Sequence, residues 1–583
     1  MASTPAPYRE LTPAAMVLGV LLGACMTAAF VFIALKLGFT LPGSTVAAIL
    51  GFAVLRGALG KGSIVENNIN QTIASGINTA SSGVAFTLPA LFLMSENDPS
   101  LAGFSPVPFL LAAIAGSFLG IVLIIPLRKQ MIEFERLRFP SGIAVASLLK
   151  SPGAGARQAK LLGAGFAISA AVHASMEMGL FGHEIDPLGL ILGGALPGWF
   201  PTAIGVSFAS LGAGLLSGRG GLPFVLGGLL AWWLIAPIAV SSGWVPSAES
   251  VGLSGADYDG WLAGAMYGTM LRPLGIGVLI GGALSGVIAS FPALKSAVAS
   301  LSAATKIKGA GGTSTEPQEV SARVLYIGLI GAVIGLFLAA LLSTDTVSVP
   351  QAIAIAIVGT GWLALAGLIV AQATGMTDIS PLSGLALIAV TLMFVLTKGN
   401  VIASVMLGVA VCIGIGQCAD MMSDLKSGHL VGAMPKRQQQ AQFMVSWLGA
   451  PIAIGTVFLL WGDGGGFGPG TDLTAPQAGA LQAIIESLQT GDSAVDKYAA
   501  GAAIGLGLGI YPIGGLGVLV GLAMYLPLYI TLTYGVGCLS SIALQKKNGP
   551  RWYGSTLVPV AAGFIVGEAL TSLFFVLGKL AFA

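Results

Sequence analysis

Apolar residues run in blocks of about twenty along this chain, parted by short polar stretches, which is the length a membrane-spanning helix requires. The blocks lie at about 14–35, 42–59, 71–94, 106–127, 161–181, 189–217, 222–240 and 268–291, and again at about 324–343, 350–371, 382–397, 401–419, 443–461, 496–511, 514–544 and 556–580. Between the two sets lies "ALKSAVASLSAATKIKGAGGTSTEPQEVSARV", the longest stretch without an apolar run. The pattern predicts an all-α polytopic membrane protein of about 16 transmembrane helices. A first set of eight occupies residues 1–291, a cytoplasmic linker follows at 292–322, and a second set of eight occupies 323–583. The 514–544 run is long for one crossing and contains Pro527, so a tilted or broken helix is expected there. The segment 474–489 is short enough to be re-entrant or interfacial.

Composition agrees. Hydrophobic residues make up 55% of the chain and charged residues 9%, against about 25% charged in soluble domains. Glycine, common in membrane helices, occurs 85 times. The net charge of +2 speaks against a nucleic-acid partner. The four cysteines, Cys25, Cys412, Cys418 and Cys538, form no CxxC pair and are expected to be buried and inert. Lys and Arg gather in alternate loops, for example Arg128 to Lys160 and Lys426 to Arg437, while "SENDPS" and "STDTVS" carry none. By the positive-inside rule this puts the N-terminus in the cytoplasm and the protein in the cell's inner (plasma) membrane. Lys546, Lys547 and Arg551 break the alternation. The apolar run after the N-terminus continues past any cleavage site, so the first span is read as its own insertion signal.

One stretch resists a simple span. "ENNINQTIASGINTASSGVAFTLPAL", from Glu66, is crowded with amides and hydroxyls. Its segment "ASGINTAS" at Ala74 returns as "ATGMTDIS" at Ala373, 299 residues later. With eight spans between them, the two sets read as repeats of the same orientation. Transporters built from repeats hold their cargo where helices break near mid-membrane, and Gly76, Pro89, Gly375 and Pro381 offer places to break. Asn70, Gln71, Asn78, Thr79, Ser81 and Ser82 in the first copy, and Thr374, Thr377, Asp378 and Ser380 in the second, are therefore substrate-binding candidates, the two breaks facing each other across a cavity. Amides and hydroxyls suit a zwitterion or a peptide backbone. Helix capping and helix–helix hydrogen bonds remain the other reading of the same residues.

Charges inside spans are costly and usually functional. His173 and Glu177 share a helix face at i, i+4, and Glu568 is embedded in apolar sequence; these three are the proton-coupling candidates. Lys36 lies near the end of its run and reads as a snorkelling side chain. Asp420, Asp424, Lys426 and His429 follow the 401–419 run and read as a gate. Their spacing matches no zinc pattern, so no metal is expected.

"ENNINQTIASG", "RLRFPSGIAVASLL", "DLKSGHLVGAMPKRQQQAQ" and "TAPQAGALQ" together resemble the oligopeptide transporter family, which includes yellow-stripe-like metal-chelate transporters, over nearly the whole chain. The resemblance implies a secondary transporter of about sixteen spans, usually proton-coupled, carrying short peptides, modified peptides or metal chelates. No P-loop or HExxH is present, and no enzyme activity is expected. The expected function is proton-coupled symport, with the proton gradient as energy source and no cofactor. A passive channel or facilitator for small polar solutes is the alternative, and a homodimer is an open option.

Overall fold

The computed structural model describes residues 10–38, 43–52, 54–55, 62–150, 154–180, 182–192, 196–289, 319–377, 380, 382–462, 466–468, 471, 473–490, 495–510 and 516–582. The helices that matter below are α1 (Pro13–Leu37), α2 (Gly43–Phe52), α3 (Ile64–Ser95), α4 (Pro106–Leu127), α5 (Pro140–Lys150), α6 (Ala154–Glu177), α7 (Phe208–Ser241), α8 (Asp257–Gly282), α9 (Ala322–Ser343), α10 (Val349–Thr377), α11 (Leu382–Leu396), α12 (Val401–Val431), α13 (Pro435–Gly462), α14 (Pro476–Thr490), α15 (Val495–Gly509), α16 (Leu516–Tyr525), α17 (Leu528–Asn548) and α18 (Pro550–Phe575). Two short strands, β1 (Glu184–Ile185) and β2 (Ile204–Gly205), pair antiparallel between α6 and α7. The chain is an all-α polytopic membrane protein; among the described residues twelve helices are long and apolar enough to cross a membrane.

Several expected boundaries move. The 42–59 run yields only the ten-residue α2 among the described residues. The 189–217 run opens on the β-hairpin and ends in the helix Phe208–Ser217, and α7 is divided where that run meets the 222–240 run, at Gly218 (φ +51°) and the 3-10 turn Gly218–Gly221. The 514–544 run is broken at Leu526–Pro527, between α16 and α17, as its proline suggested. Residues 290–318, most of the expected linker, lie outside the described residues. Of the cysteines, Cys412, Cys418 and Cys538 are buried, whereas Cys25 is exposed on the face of α1.

Local chemistry sets the helix ends. At the start of α3, Ser63 Oγ accepts from the Glu66 N–H (3.1 Å) and Glu66 Oε2 accepts from the Ser63 N–H (2.6 Å), a reciprocal capping box. Asn67 and Asn68 therefore have no capping work and lie buried one turn in. Replacing Ser63 by Ala should cost about 1 kcal/mol, read as a small drop in thermal stability in detergent with transport intact. α1 ends at Gly38, whose φ of +72° suits glycine and whose N–H bonds Ala34 O. Its last carbonyls would be costly to leave bare in a membrane interior. They are met from the segment leading into α14: Ala475 N–H to Leu35 O (2.7 Å), Thr474 Oγ1 to Lys36 O (3.3 Å) and Gln477 Nε2 to Gly38 O (2.8 Å).

The packing does not follow the two halves of the sequence. α12 is buried along almost its whole length and packs on α3, α4, α5, α10 and α11, so residues from both halves surround it. With α1, α2, α9 and α13 these form a first bundle. α6, α7 and α8 instead pack on α15, α16, α17 and α18, a second bundle again drawn from both halves. The bundles meet where α1 and α13 touch α18, where α2 touches α6, and where α8 touches α11; α14 reaches both α3 and α16. The two eight-residue motifs also occupy unlike places. Ala74–Ser81 lies inside the continuous α3, which shows only local turns at Thr79 and Leu88, while Ala373–Ser380 runs off the end of α10. Gly76 is thus no helix break: every side chain from Asn67 to Asn78 is buried and the helical ladder holds through it.

Candidate functional site

A cavity of about 90 Å³ opens at the seam between the bundles. The first bundle lines it with Phe32, Lys36 and Leu460, the second with His173, Glu177, Ser207, Tyr529, Thr533 and Ser572, and the β-hairpin adds His183, Gly205 and Val206. Lys36 does not snorkel. Its ammonium turns inward and pairs with Glu568 at 2.6 Å, with side chains only 12% and 2% exposed, and it lies 5.8 Å from the Phe32 ring. Leaving the apolar interior for an interface would abandon that carboxylate, and a buried lone charge is far costlier than a paired one.

Glu568 is richly satisfied. Ser207 Oγ lies 3.0 and 3.2 Å from its two oxygens, and the Ala209 N–H donates to Oε2 at 2.9 Å. Ser207 also caps α7, accepting from the Ser210 N–H. The first turn of α7 thus presents amide and hydroxyl donors to a carboxylate, the favourable polarity at a helix N-terminus. His173 Nε2 is 2.6 Å from Ser572 Oγ and 3.5 Å from Glu177 Oε1. The three residues expected to couple protons therefore gather on α6 and α18 beside one cavity. Sequence reasoning missed Lys36, Ser207, His183, Tyr529 and Thr533; an uncompensated Lys in an apolar run was the available signal for the first.

A second polar constellation lies deeper, between α3, α12 and α13. Gln417 Nε2 donates to Gly76 O (2.8 Å) and Gln442 Nε2 to Gln417 Oε1 (2.8 Å). Thr79 Oγ1 donates to Asp420 (2.5 Å), Ser44 Oγ to Asp424 Oδ1 (3.0 Å), and Gln71 Nε2 also reaches Asp424 Oδ1. Asn68 Nδ2 bonds Ser427 Oγ (2.8 Å), and Gln438 Nε2 bonds Thr72 Oγ1 (3.0 Å) and Asp424 O (2.8 Å). Asp420, Asp424 and Lys426 are therefore not on a loop after a span: they lie within the 31-residue α12, with Asp424 and Lys426 buried and only His429, in its last turn, exposed. The apolar-run count ended the span at 419 because it could not see that α3 would supply polar partners for the next three turns.

The substrate-binding candidates divide. Asn70, Gln71, Asn78, Thr79, Ser81 and Ser82 are all buried in helix–helix contacts, and none lines the seam cavity. Thr374 Oγ1 and Ser380 Oγ lie 2.6 Å apart. Asp378 and the Thr377 side chain lie outside the described residues. Among the described residues the two motifs have different surroundings. The second is covered by the loop between α4 and α5, where the Phe139 N–H bonds Gly375 O (2.9 Å) and Gln372 Nε2 bonds Glu135 Oε2 (2.9 Å). That loop holds Arg136 and Phe139 at φ +53° and +45°, an unfavourable backbone for L residues.

Residues 10–578 match the family described as OPT oligopeptide transporter protein. The chain belongs to the oligopeptide transporter family. It is 26% identical over 607 aligned residues, covering 92% of this chain and 91% of the relative, to the Haemophilus influenzae protein named "Putative oligopeptide transporter". The segments that resemble this family converge in space. "ENNINQTIASG" and "DLKSGHLVGAMPKRQQQAQ" are the two sides of the α3–α12–α13 interface, "TAPQAGALQ" caps α1, and "RLRFPSG" covers Gly375. In this chain the first two segments join helices within the first bundle, while "TAPQAGALQ" also takes bonds from Arg272 of α8 at Gly479 O and Gln482 Oε1.

Proposed function

We propose that the protein carries short peptides or peptide-like compounds, metal chelates among them, across the plasma membrane by proton-coupled symport. The observation that carries this reading is the seam cavity. It is lined by an ammonium, two imidazoles and the Glu177 carboxylate, with the Glu568 carboxylate paired to Lys36 behind it, the chemistry that binds both ends of a zwitterion. A peptide carboxylate would take Lys36 or His173; a peptide amine would take Glu177 or Glu568. The cavity of about 90 Å³ has room for about three waters, so cargo enters only when the bundles part. The Lys36–Glu568 pair bridges them and is the contact cargo competes for. Rocking of one bundle against the other then gives alternating access. Two shorter apolar helices, Gly43–Phe52 (α2) and Gly384–Leu396 (in α11), add to the twelve long ones among the described residues; the reading of about sixteen membrane segments rests on the apolar runs of the sequence. The N-terminus is placed in the cytoplasm on the loop charges.

The test is uptake of a labelled dipeptide into proteoliposomes carrying the purified protein. An acid-outside pH gradient, with no other driving force, should accumulate it above the external concentration. Flux that only runs downhill would make the protein a passive facilitator instead.

A further inference from the structure

The carboxyl of Asp424 is 1% exposed and lies well inside α12, level with Ser75 of α3. Its partners are all neutral. Oδ1 accepts from Ser44 at the first turn of α2 and from Gln71 of α3, while Oδ2, equally buried, has no hydrogen-bond partner. No described Lys, Arg or His lies within ion-pair distance of it. On α12 itself, Asp420 is one turn back on the same face and brings like charge, while Lys426 turns to Gly142 of α5. α3 brings Gln71 and Ser75, α2 brings Ser44, and Gln438 of α13 bonds the backbone carbonyl of Asp424 rather than its carboxyl. An ionised carboxylate buried in a protein interior without a cation is among the costliest arrangements a protein can hold. A carboxylic acid there is not: its hydroxyl supplies the donor that bare Oδ2 lacks, and Oδ1 keeps its two bonds. Two acids one turn apart commonly resolve their repulsion by one holding a proton.

We propose that Asp424 is a proton-binding site whose carboxyl carries its proton on Oδ2 in this conformation and gives it up when the α2–α3–α12 contact opens. Glu568, by contrast, has a lysine and two further donors, the Ser207 hydroxyl and the Ala209 N–H, to compensate a carboxylate. The assignment moves the coupling proton from the seam cavity to the contact between α2 and α12. Its role in transport rests on the symport reading above; its protonation does not. α2 links the two sites mechanically, because it packs against both Asp424 and α6 of the second bundle.

Infrared spectroscopy of the whole protein in lipid at neutral pH decides the protonation. The wild type should show a protonated-carboxyl stretch that shifts in D2O, and the difference spectrum against Asp424→Asn should assign it to this residue. A wild type without that band, or an Asp424→Asn protein that keeps it, would overturn the assignment. Asp424→Glu should move the band, which keeps the test open if the Asn protein folds poorly. In proteoliposomes Asp424→Asn, locked as a neutral mimic, should exchange dipeptide in counterflow yet lose accumulation on a pH gradient. Wild-type accumulation by that variant also overturns the proposal. A wild type that accumulates nothing would sink the symport reading alone, leaving the infrared result to stand by itself.

Discussion

Glu568→Gln should lower the stability of the detergent-solubilised protein by about 3–5 kcal/mol, the usual cost of removing one member of a buried ion pair. The loss follows from what remains. The amide oxygen can still accept from Ser207 and Ala209, but the Lys36 ammonium is left beside the Phe32 ring in an apolar enclosure with no counter-charge. Adding Lys36→Met removes the stranded charge, and the double variant should recover at least half the loss, since a buried pair replaced by neutral, well-packed groups is often tolerated. Thermal melts of the two single variants and the double variant form a cycle that isolates the pair. Dipeptide uptake should stay absent in the double variant although it folds, because the contact with which cargo competes is gone. A double variant no more stable than Glu568→Gln, or one that transports normally, would show that the pair neither holds the bundles together nor takes part in binding.

Gly120→Val should destabilise the first bundle by about 3 kcal/mol. Gly116 and Gly120 form a GxxxG face on α4, the spacing that lets membrane helices approach backbone to backbone. A Cβ at Gly120 would run into the Gly414 carbonyl of α12 and meet Gln417 Cβ at 2.8 Å. Neither neighbour can yield: Gly414 is packed helix backbone, and Gln417 is held by Gly76 and Gln442. The added side chain must therefore displace α12 and loosen its polar interface with α3 and α13. Gly331→Ala on α9 is the control, since no atom lies within 4 Å of its added carbon; its melting temperature should stay at the wild-type value. Equal melting temperatures for the two variants would mean that α4 and α12 tolerate a wider spacing.

Much of this was legible in the order of residues, and the exceptions share a cause. His173 and Glu177 were paired by helical periodicity alone, and the structure keeps them 3.5 Å apart. Pro527 announced the break between α16 and α17. Lys36 was misread because distance from a run's end is a one-dimensional measure; Glu568 lies 532 residues away. The polar run after Glu66 was read as a broken helix because its amides had no visible partners. They have partners from Ser44 to Gln442, and with those in place an unbroken helix is the cheapest arrangement. The Asp420–His429 segment was read as following its span by the same omission; it continues α12 as helix.

Apolar run length and charge density by themselves determined that this chain crosses a membrane many times as helices. Each such run must satisfy its own backbone hydrogen bonds in lipid, and only a helix can do so alone. Its motifs likewise determined the family. Only the tertiary structure decided which helices share a bundle, that both bundles draw on both halves of the chain, and where the polar side chains are spent. Those outcomes depend on which distant donor meets which acceptor, and on where glycines permit close approach. Neither is a property of any single segment, and so neither can be read from one.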